Sequence, residues 1–318
     1  MTSATGVMAV IGILFDPRWL AEGPLQLVVS WQGIAAAATV MAALLVAAVA
    51  AARYRPARPT DVPPDASPLR RDDLLFIAVA VVPGAVIGGR IMHGLAYADT
   101  YAPDLLTLLD PARGSLSLLG AVVGGTLSGA YIARTLGGGH PDWRRWLEVA
   151  APILLMLIVG AKFSQFLGGG GQGAPWDGEQ AVAFLGPGPW QSIAPAMPSL
   201  PSQLLEASWA AIGVLVLAAI SRRVRLGAIY LWALAWWLAG RIVIAFSWRD
   251  DPTLGPLSAE QLAAIVVFAV VAVLLVAGRL RARGAAASEP APDQAGLEWP
   301  DRPIDPTELP STRTPPTP

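Results

Sequence analysis

LQLVVSWQGIAAAATVMAALLVAAVAAA, residues 25–52, contains no formally charged side chain. A helix rises ~1.5 Å per residue, and about 20 residues cross the ~30 Å hydrocarbon layer of a bilayer. The run is therefore long enough to span, and Arg53, Arg55 and Arg58 follow it at once. Working outward, six more apolar stretches appear at 74–97, 115–133, 147–167, 204–220, 226–246 and 261–277. A soluble core has no room to bury so many such runs. The composition agrees: 54% of the 318 residues are hydrophobic and 14% are charged, against roughly 25% charged in a typical soluble domain. The expected fold is an all-α, polytopic transmembrane bundle of about seven spans.

The charges collect between the runs, and their bias orients the chain. Alternate connections hold Arg53, Arg55, Arg58, Arg70 and Arg71, then Arg134, Arg144 and Arg145, then Arg222, Arg223 and Arg225, then Arg279, Arg281 and Arg283. The other connections hold Arg18, Arg113 and Arg249 among many acids, including Asp99, Asp104, Asp110, Asp177, Glu179, Asp250 and Asp251. Fourteen arginines against three place the first set in the cytoplasm, the N-terminus outside and the C-terminus inside. Three regions follow: an external segment 1–24, a transmembrane domain 25–283 and a cytoplasmic tail 284–318. The tail is rich in Pro, Ala, Thr and acids without apolar periodicity, a composition that predicts disorder. The short apolar stretch Val7 to Phe15 lacks a preceding basic region, so it reads as interfacial or re-entrant rather than as a cleaved leader. The external connection 168–201 is rich in Gly and Pro and carries Trp176, Phe184 and Trp190, which points to a loop folded over the membrane surface. A net charge of -1 gives no support for a nucleic-acid partner. With no cysteine and only His93 and His140, neither a metal site nor a cofactor is expected.

Three cations fall inside the runs: Arg90, Lys162 and Arg241. Each stands about sixteen residues along a run that leads outward, ~24 Å from its cytoplasmic end. They therefore share one level in the outer half of the bilayer. Gln32, Ser117, Ser202, Gln203 and Glu206 reach a similar depth on the inward-running stretches. Glu206 is a candidate counter-ion, leaving a net positive pocket suited to a phosphate, since an arginine presents a planar donor fork to its oxygens. Snorkelling to the surface or structural pairing is the alternative for each cation taken alone. Gly84, Gly88, Gly120 and Gly124 have the spacing of close helix contacts, and Trp232, Trp236 and Trp237 read as packing or belt residues.

These residues, in this order, resemble the prolipoprotein diacylglyceryl transferases over about residues 24–277. Gly23-Pro24 and Trp31-Gln32-Gly33 are similar to the family's Gly-Pro and Trp-Tyr-Gly, and Gly88-Gly89-Arg90 to its glycine-glycine-arginine signature. Leu116 to Gly120 lies where the family has a Met-Ser-Phe-His-Gly segment. Ala151-Pro152 precedes Lys162 at the spacing of an essential family arginine. Pro201-Ser202-Gln203-Leu204-Leu205-Glu206 resembles Pro-Ser-Gln-Leu-Tyr-Glu, and Gly227, Arg241, Phe246 and Gln261 fit the last two spans. The departures fall on the chemistry. Gln32 and Trp237 replace tyrosines, Leu119 and Leu200 histidines, Lys162 an arginine and Ala245 an acid. Gln165, Gly168 and Gly170 stand where Asn, Asn and Glu are expected.

The resemblance implies a multi-pass enzyme of the bacterial inner membrane that moves diacylglycerol from phosphatidylglycerol, or a similar anionic phospholipid, to the lipobox cysteine of a prolipoprotein signal peptide. Arg241, Lys162 and Arg90 are then the clamp on the departing phosphate, and His93 or Glu206 the candidate base, with Gln32, Ser117, Gln165, Ser202, Gln203 and Glu206 around the substrate. A degenerate homologue that binds anionic lipid without turnover stays open. A small-anion or lipid transporter also stays open, though no paired repeats support it.

Overall fold

A computed structural model describes residues 10–20, 29–54, 69–109, 116–136, 143–188 and 190–288. The C-terminal tail beyond 288, Gly23-Pro24, His140 and the arginines at 55, 58 and 113 lie outside the described residues. The helices follow the apolar runs. α1 (Trp31–Ala52) starts where the hydroxyl of Ser30 accepts from the Gly33 amide at 3.0 Å, a capped N-terminus. α2 (Arg71–Ala96) opens with Asp72 and Asp73, whose charges suit the positive end of the helix dipole. A single turn, α3 (Ala98–Tyr101), precedes α4 (Leu118–Leu136), α5 (Trp143–Leu167), α6 (Ser202–Ile220), α7 (Ala228–Ile244) and α8 (Ala259–Ser288). At the start of α8, Ser258 and Gln261 bond reciprocally, Gln261 Oε1 accepting from Ser258 N at 3.0 Å and Ser258 Oγ from Gln261 N at 3.3 Å. That is a capping box.

Six helices are long and apolar enough to cross a membrane: α1, α2, α5, α6, α7 and α8. The seventh expected span, α4, is present as a helix of 19 residues but falls outside that group. Gly120, Gly124, Gly125 and Gly129 dilute its hydropathy, and they serve packing instead. A Cβ added to Gly88 of α2 would overlap the Gly120 carbonyl oxygen, and one on Gly124 would overlap that of Gly84. The two glycine pairs thus bring α2 and α4 into backbone contact. Between α6 and α7 the same principle uses tryptophan. Trp209 and Trp236 stack at 4.3 Å, and each indole N–H donates to the other's backbone carbonyl, at 2.7 and 2.9 Å. Each ring occupies the space over a glycine of the facing helix, Gly240 and Gly213. The core between α4, α5, α6, α7 and α8 holds Leu119, Leu155, Ile158, Ala210, Ala233, Leu238 and Ala264, all essentially inaccessible.

The helices alternate in direction. Ser117, at the start of α4, donates its amide to Gly89 O near the end of α2 at 3.1 Å. Gln32 of α1 packs on Gly168, just past α5. Ser202 of α6 donates to Ser247 O beyond α7 at 2.8 Å, and Gln261 of α8 donates to Ile242 O of α7 at 3.0 Å. One end of the bundle therefore gathers the starts of α1, α4, α6 and α8 with the ends of α2, α5 and α7.

Short strands of two to four residues decorate that end of the helical bundle. β1 (Ile11–Leu14) pairs in parallel with β4 (Val182–Leu185), β2 (Arg18–Leu20) with β3 (Val29–Ser30), and β5 (Pro252–Leu254) with β6 (Leu257–Ser258). Residues 11–14 of the apolar stretch Val7 to Phe15 are thus a strand. In the loop 168–201, Phe184 is 2% exposed, with Phe166 and Trp190 against it at 5.6 and 5.0 Å and Phe15 on Trp190 at 5.4 Å, while Trp176 is exposed. The chain divides into two compact units, Met1–Leu275 and Val276–Pro318. All the features described above lie in the first unit, apart from the continuation of α8. The described part of the second is the final stretch of α8, carrying Arg279, Arg281 and Arg283.

Candidate active site

Charge inside an apolar bundle must be paired or hydrogen-bonded, and four ionisable side chains satisfy one another at the strand-bearing end. Glu206, fully buried on α6, is the centre. Its Oε2 lies 3.1 Å from Lys162 Nζ and 2.9 Å from Arg241 Nη1. Its Oε1 accepts from the indole of Trp237 at 2.9 Å. The other arm of Arg241 pairs through Nη2 with Glu260, on the first turn of α8. Lys162 also donates to Gln165 Oε1 at 3.3 Å, one turn along α5. Both cations lie against the Trp248 ring, Lys162 Nζ at 4.2 Å and the Arg241 guanidinium at 5.3 Å from its centroid. An aromatic face attracts cations, more so where water is excluded.

Two positive and two negative groups make this cluster formally neutral. The surplus of positive charge expected from Glu206 alone is not present in it, because Glu260 supplies a second anion. Yet the cluster keeps unspent donors. Among the described residues, Arg241 Nε and Trp248 Nε1 are buried without a hydrogen-bond partner, as is the acceptor Gln32 Oε1.

The surrounding residues hold the loop and the α7 end in register. Gln203 donates to Gly170 O at 2.7 Å. Ser202 shares a 2.7 Å hydrogen bond with the Ser247 hydroxyl. Arg249 donates through Nε to Gly173 O at 2.7 Å and through Nη2 to Ser199. Gly171 has φ 61°, a left-handed conformation that glycine adopts without strain, and packs against both Gln165 and Trp248.

The structure thus joins Lys162, Gln165, Glu206 and Arg241 directly. Ser202 and Gln203 bind the loop and the α7 end beside them, and Gln32 sits against Gly168. Ser117 is buried and accepts the Gly120 amide at 3.4 Å, which makes it the cap of α4. Arg90 is half-buried on α2, the turn before His93. The His93 ring lies 4.7 Å from Tyr97 and 5.8 Å from Tyr101. Sequence reading did not place Glu260, Trp248 or Arg249 in the site, and gave Trp237 as a packing or belt residue that stands where the family has a tyrosine. Glu260 lies directly before Gln261, yet an acid in the first turn of a helix looks like an ordinary dipole partner.

A multi-pass helical membrane protein with an ionic network buried at one end of its spans is a narrow class. Within it, the chain belongs to the prolipoprotein diacylglyceryl transferase family, whose model matches residues 21–277. It is similar to proteins named phosphatidylglycerol–prolipoprotein diacylglyceryl transferase from several bacteria. The protein of Geobacter sulfurreducens is 29% identical over 63% of this chain and 76% of its own length. That of Halalkalibacterium halodurans is 28% identical over 68% and 74%. That of Listeria welshimeri is 22% identical over 84% and 91%.

Proposed function

We propose that this protein moves the diacylglyceryl group of phosphatidylglycerol to the lipobox cysteine of a prolipoprotein signal peptide, in the outer half of a bacterial cytoplasmic membrane. One observation carries the reading beyond family membership. Arg241 Nε and Trp248 Nε1 are buried donors without a protein acceptor, set beside two cations. A phosphate oxygen suits such donors, since charge-assisted bonds to it are short and strong.

In this reaction the thiol sulfur attacks the glyceryl carbon that bears the phosphate ester. A C–S bond forms, the C–O bond breaks, and its electron pair leaves on glycerol phosphate. Arg241 and Lys162, with Arg90, stabilise the charge that develops on the leaving group. Gln32, Ser117, Gln165, Ser202 and Gln203 surround the substrate, and Glu206 holds both cations in place. A thiol of pKa ~8.5 is little ionised at neutral pH. His93, an imidazole with an unperturbed value of ~6.5, takes its proton. Binding of anionic lipid without turnover is the second reading. It is favoured by the neutral ionic cluster and by Leu119, which packs in the core where the family carries a histidine.

Purified protein in nanodiscs containing phosphatidylglycerol should convert a lipobox peptide to its thioether. Arg241→Ala should abolish conversion. His93→Ala should lower it by at least ~100-fold, the scale of general-base catalysis. Wild-type protein that keeps bound anionic lipid yet converts nothing would overturn transfer and leave binding. Activity indifferent to His93→Ala would assign thiol activation to the field of the cations alone.

A further inference from the structure

The ends of the helices remote from the ionic cluster enclose a groove of about 1030 Å³. Its walls are apolar: Leu45, Val46 and Val49 of α1, Pro152 of α5, and Val214 and Leu217 of α6. Its rim is polar and comprises Arg53, Tyr54, Glu148, Ser221 and Arg222. Three helices carry both features, in each case well apart along the helix, and on α1 the groove residues lie near the end opposite Gln32. α5 has Pro152 ten residues before Lys162, α6 has Leu217 eleven residues after Glu206, and α7 has Ile229 twelve residues before Arg241. At ~1.5 Å per residue the groove lies ~15 Å or more from the cluster. It is a separate feature.

We infer that this groove holds an anionic phospholipid of the leaflet on the arginine-rich side, its acyl chains along α1 and α6 and its phosphate at Arg53 and Arg222. The observations give the site both halves of a lipid. The walls present aliphatic side chains, and the rim begins where α1 ends and where α6 passes into Ser221–Arg223. Both rim arginines are exposed and stand at the ends of their helices, Arg53 capping α1 and Arg222 just past α6. The one acid of the rim, Glu148, is engaged: Tyr54 donates its phenol to Glu148 Oε2 at 2.6 Å. The Arg145 guanidinium lies 5.2 Å from the centre of the Tyr54 ring and adds further positive charge. Arg223 and Arg225 continue the basic stretch. Two arginines and one engaged acid favour an anionic over a zwitterionic headgroup.

The absence of native cysteine makes a site-specific test direct. Ala218→Cys, in the groove wall, and Val46→Cys, at its margin, are labelled with bimane and placed in phosphatidylcholine bilayers. Phosphatidylglycerol or phosphatidylcholine with brominated acyl chains is then titrated in. Brominated phosphatidylglycerol should quench both labels at low mole fraction and saturate. Brominated phosphatidylcholine should quench only in proportion to its abundance. Leu215→Cys, on the exposed face of α6, should show no preference. Adding Arg53→Gln and Arg222→Gln should raise the half-saturating fraction on the order of tenfold. Equal quenching by both lipids in the groove, or the same preference at Leu215, would overturn the site. Lipid seated in the ionic cluster does not touch Arg53 or Arg222, so quenching that is unchanged in the Arg53→Gln, Arg222→Gln protein would also overturn the site, and that arm is independent of whether transfer occurs.

Discussion

Glu206 carries more of this site than any other single side chain, because three donors converge on its two oxygens. Glu206→Gln keeps the shape and removes the charge, leaving Lys162 uncompensated and Arg241 dependent on Glu260 alone. Breaking a buried pair costs about 3–5 kcal/mol, so the variant should unfold at a clearly lower temperature in detergent and show no transfer. Thermal stability equal to wild type would remove Glu206 from its central role. Glu260→Gln makes a different prediction. Glu260 touches one arm of Arg241 from a more accessible position, its side chain 14% exposed. Its loss should leave the melting temperature near wild type while releasing the guanidinium from its set orientation. Transfer should fall at least ~10-fold, since misplacement of a binding group is costly in rate. A parallel loss of stability and activity would make Glu260 a structural partner only. These residues also mark what can be read from sequence. Lys162, Glu206 and Arg241 are conspicuous as charges within or at the head of apolar runs. Glu260 and Trp237 are not, because a helix-start acid and a membrane tryptophan both have ordinary uses, and only the fold shows what they touch.

Among the elements, the α2–α4 pair rests on backbone contact, which no side-chain adjustment can relieve. Gly88→Val should therefore be severely destabilising, beyond the 1–3 kcal/mol typical of overpacking. Gly278→Val on α8, where an added Cβ would meet no atom within 4 Å outside its own helix backbone, should fold as wild type apart from the small propensity difference. Comparable yields and melting temperatures for the two would show that α2 and α4 tolerate separation. The seam also fixes Arg90, since Gly89 O accepts the Ser117 amide one residue before it. The glycine spacing was visible beforehand, but the pairing of the two motifs with each other was not. The same limit explains β1. Alternation over four residues says little, and its partner β4 lies about 170 residues downstream. Helices announce themselves by local periodicity, whereas a strand this short exists only through a distant neighbour.

The contacts between helix ends establish the alternation without reference to charge, and α4 takes its place in it despite a hydropathy below that of the other long helices. Arg53, Arg70, Arg134, Arg144, Arg145, Arg222, Arg223 and Arg225 all fall at or beyond helix ends opposite the ionic cluster. Positive charge resists translocation, so that end should be cytoplasmic and the strand-bearing end external. Because the chain lacks cysteine, single replacements report on this cleanly. Thr100→Cys, Gln180→Cys and Asp250→Cys should react with a membrane-impermeant thiol reagent in intact cells. Ala57→Cys, His140→Cys, Val224→Cys and Pro300→Cys should react only after permeabilisation. The reverse pattern would invert the protein and place the Lys162–Glu206–Arg241–Glu260 network at the cytoplasmic face. A mixed pattern at Val224 and Asp250, which bracket α7, would instead mean that this helix does not cross. The expected pattern leaves the network within reach of lipid from the outer leaflet, where a lipobox cysteine on an exported chain emerges, so the topology and the proposed acceptor stand or fall on the same labels.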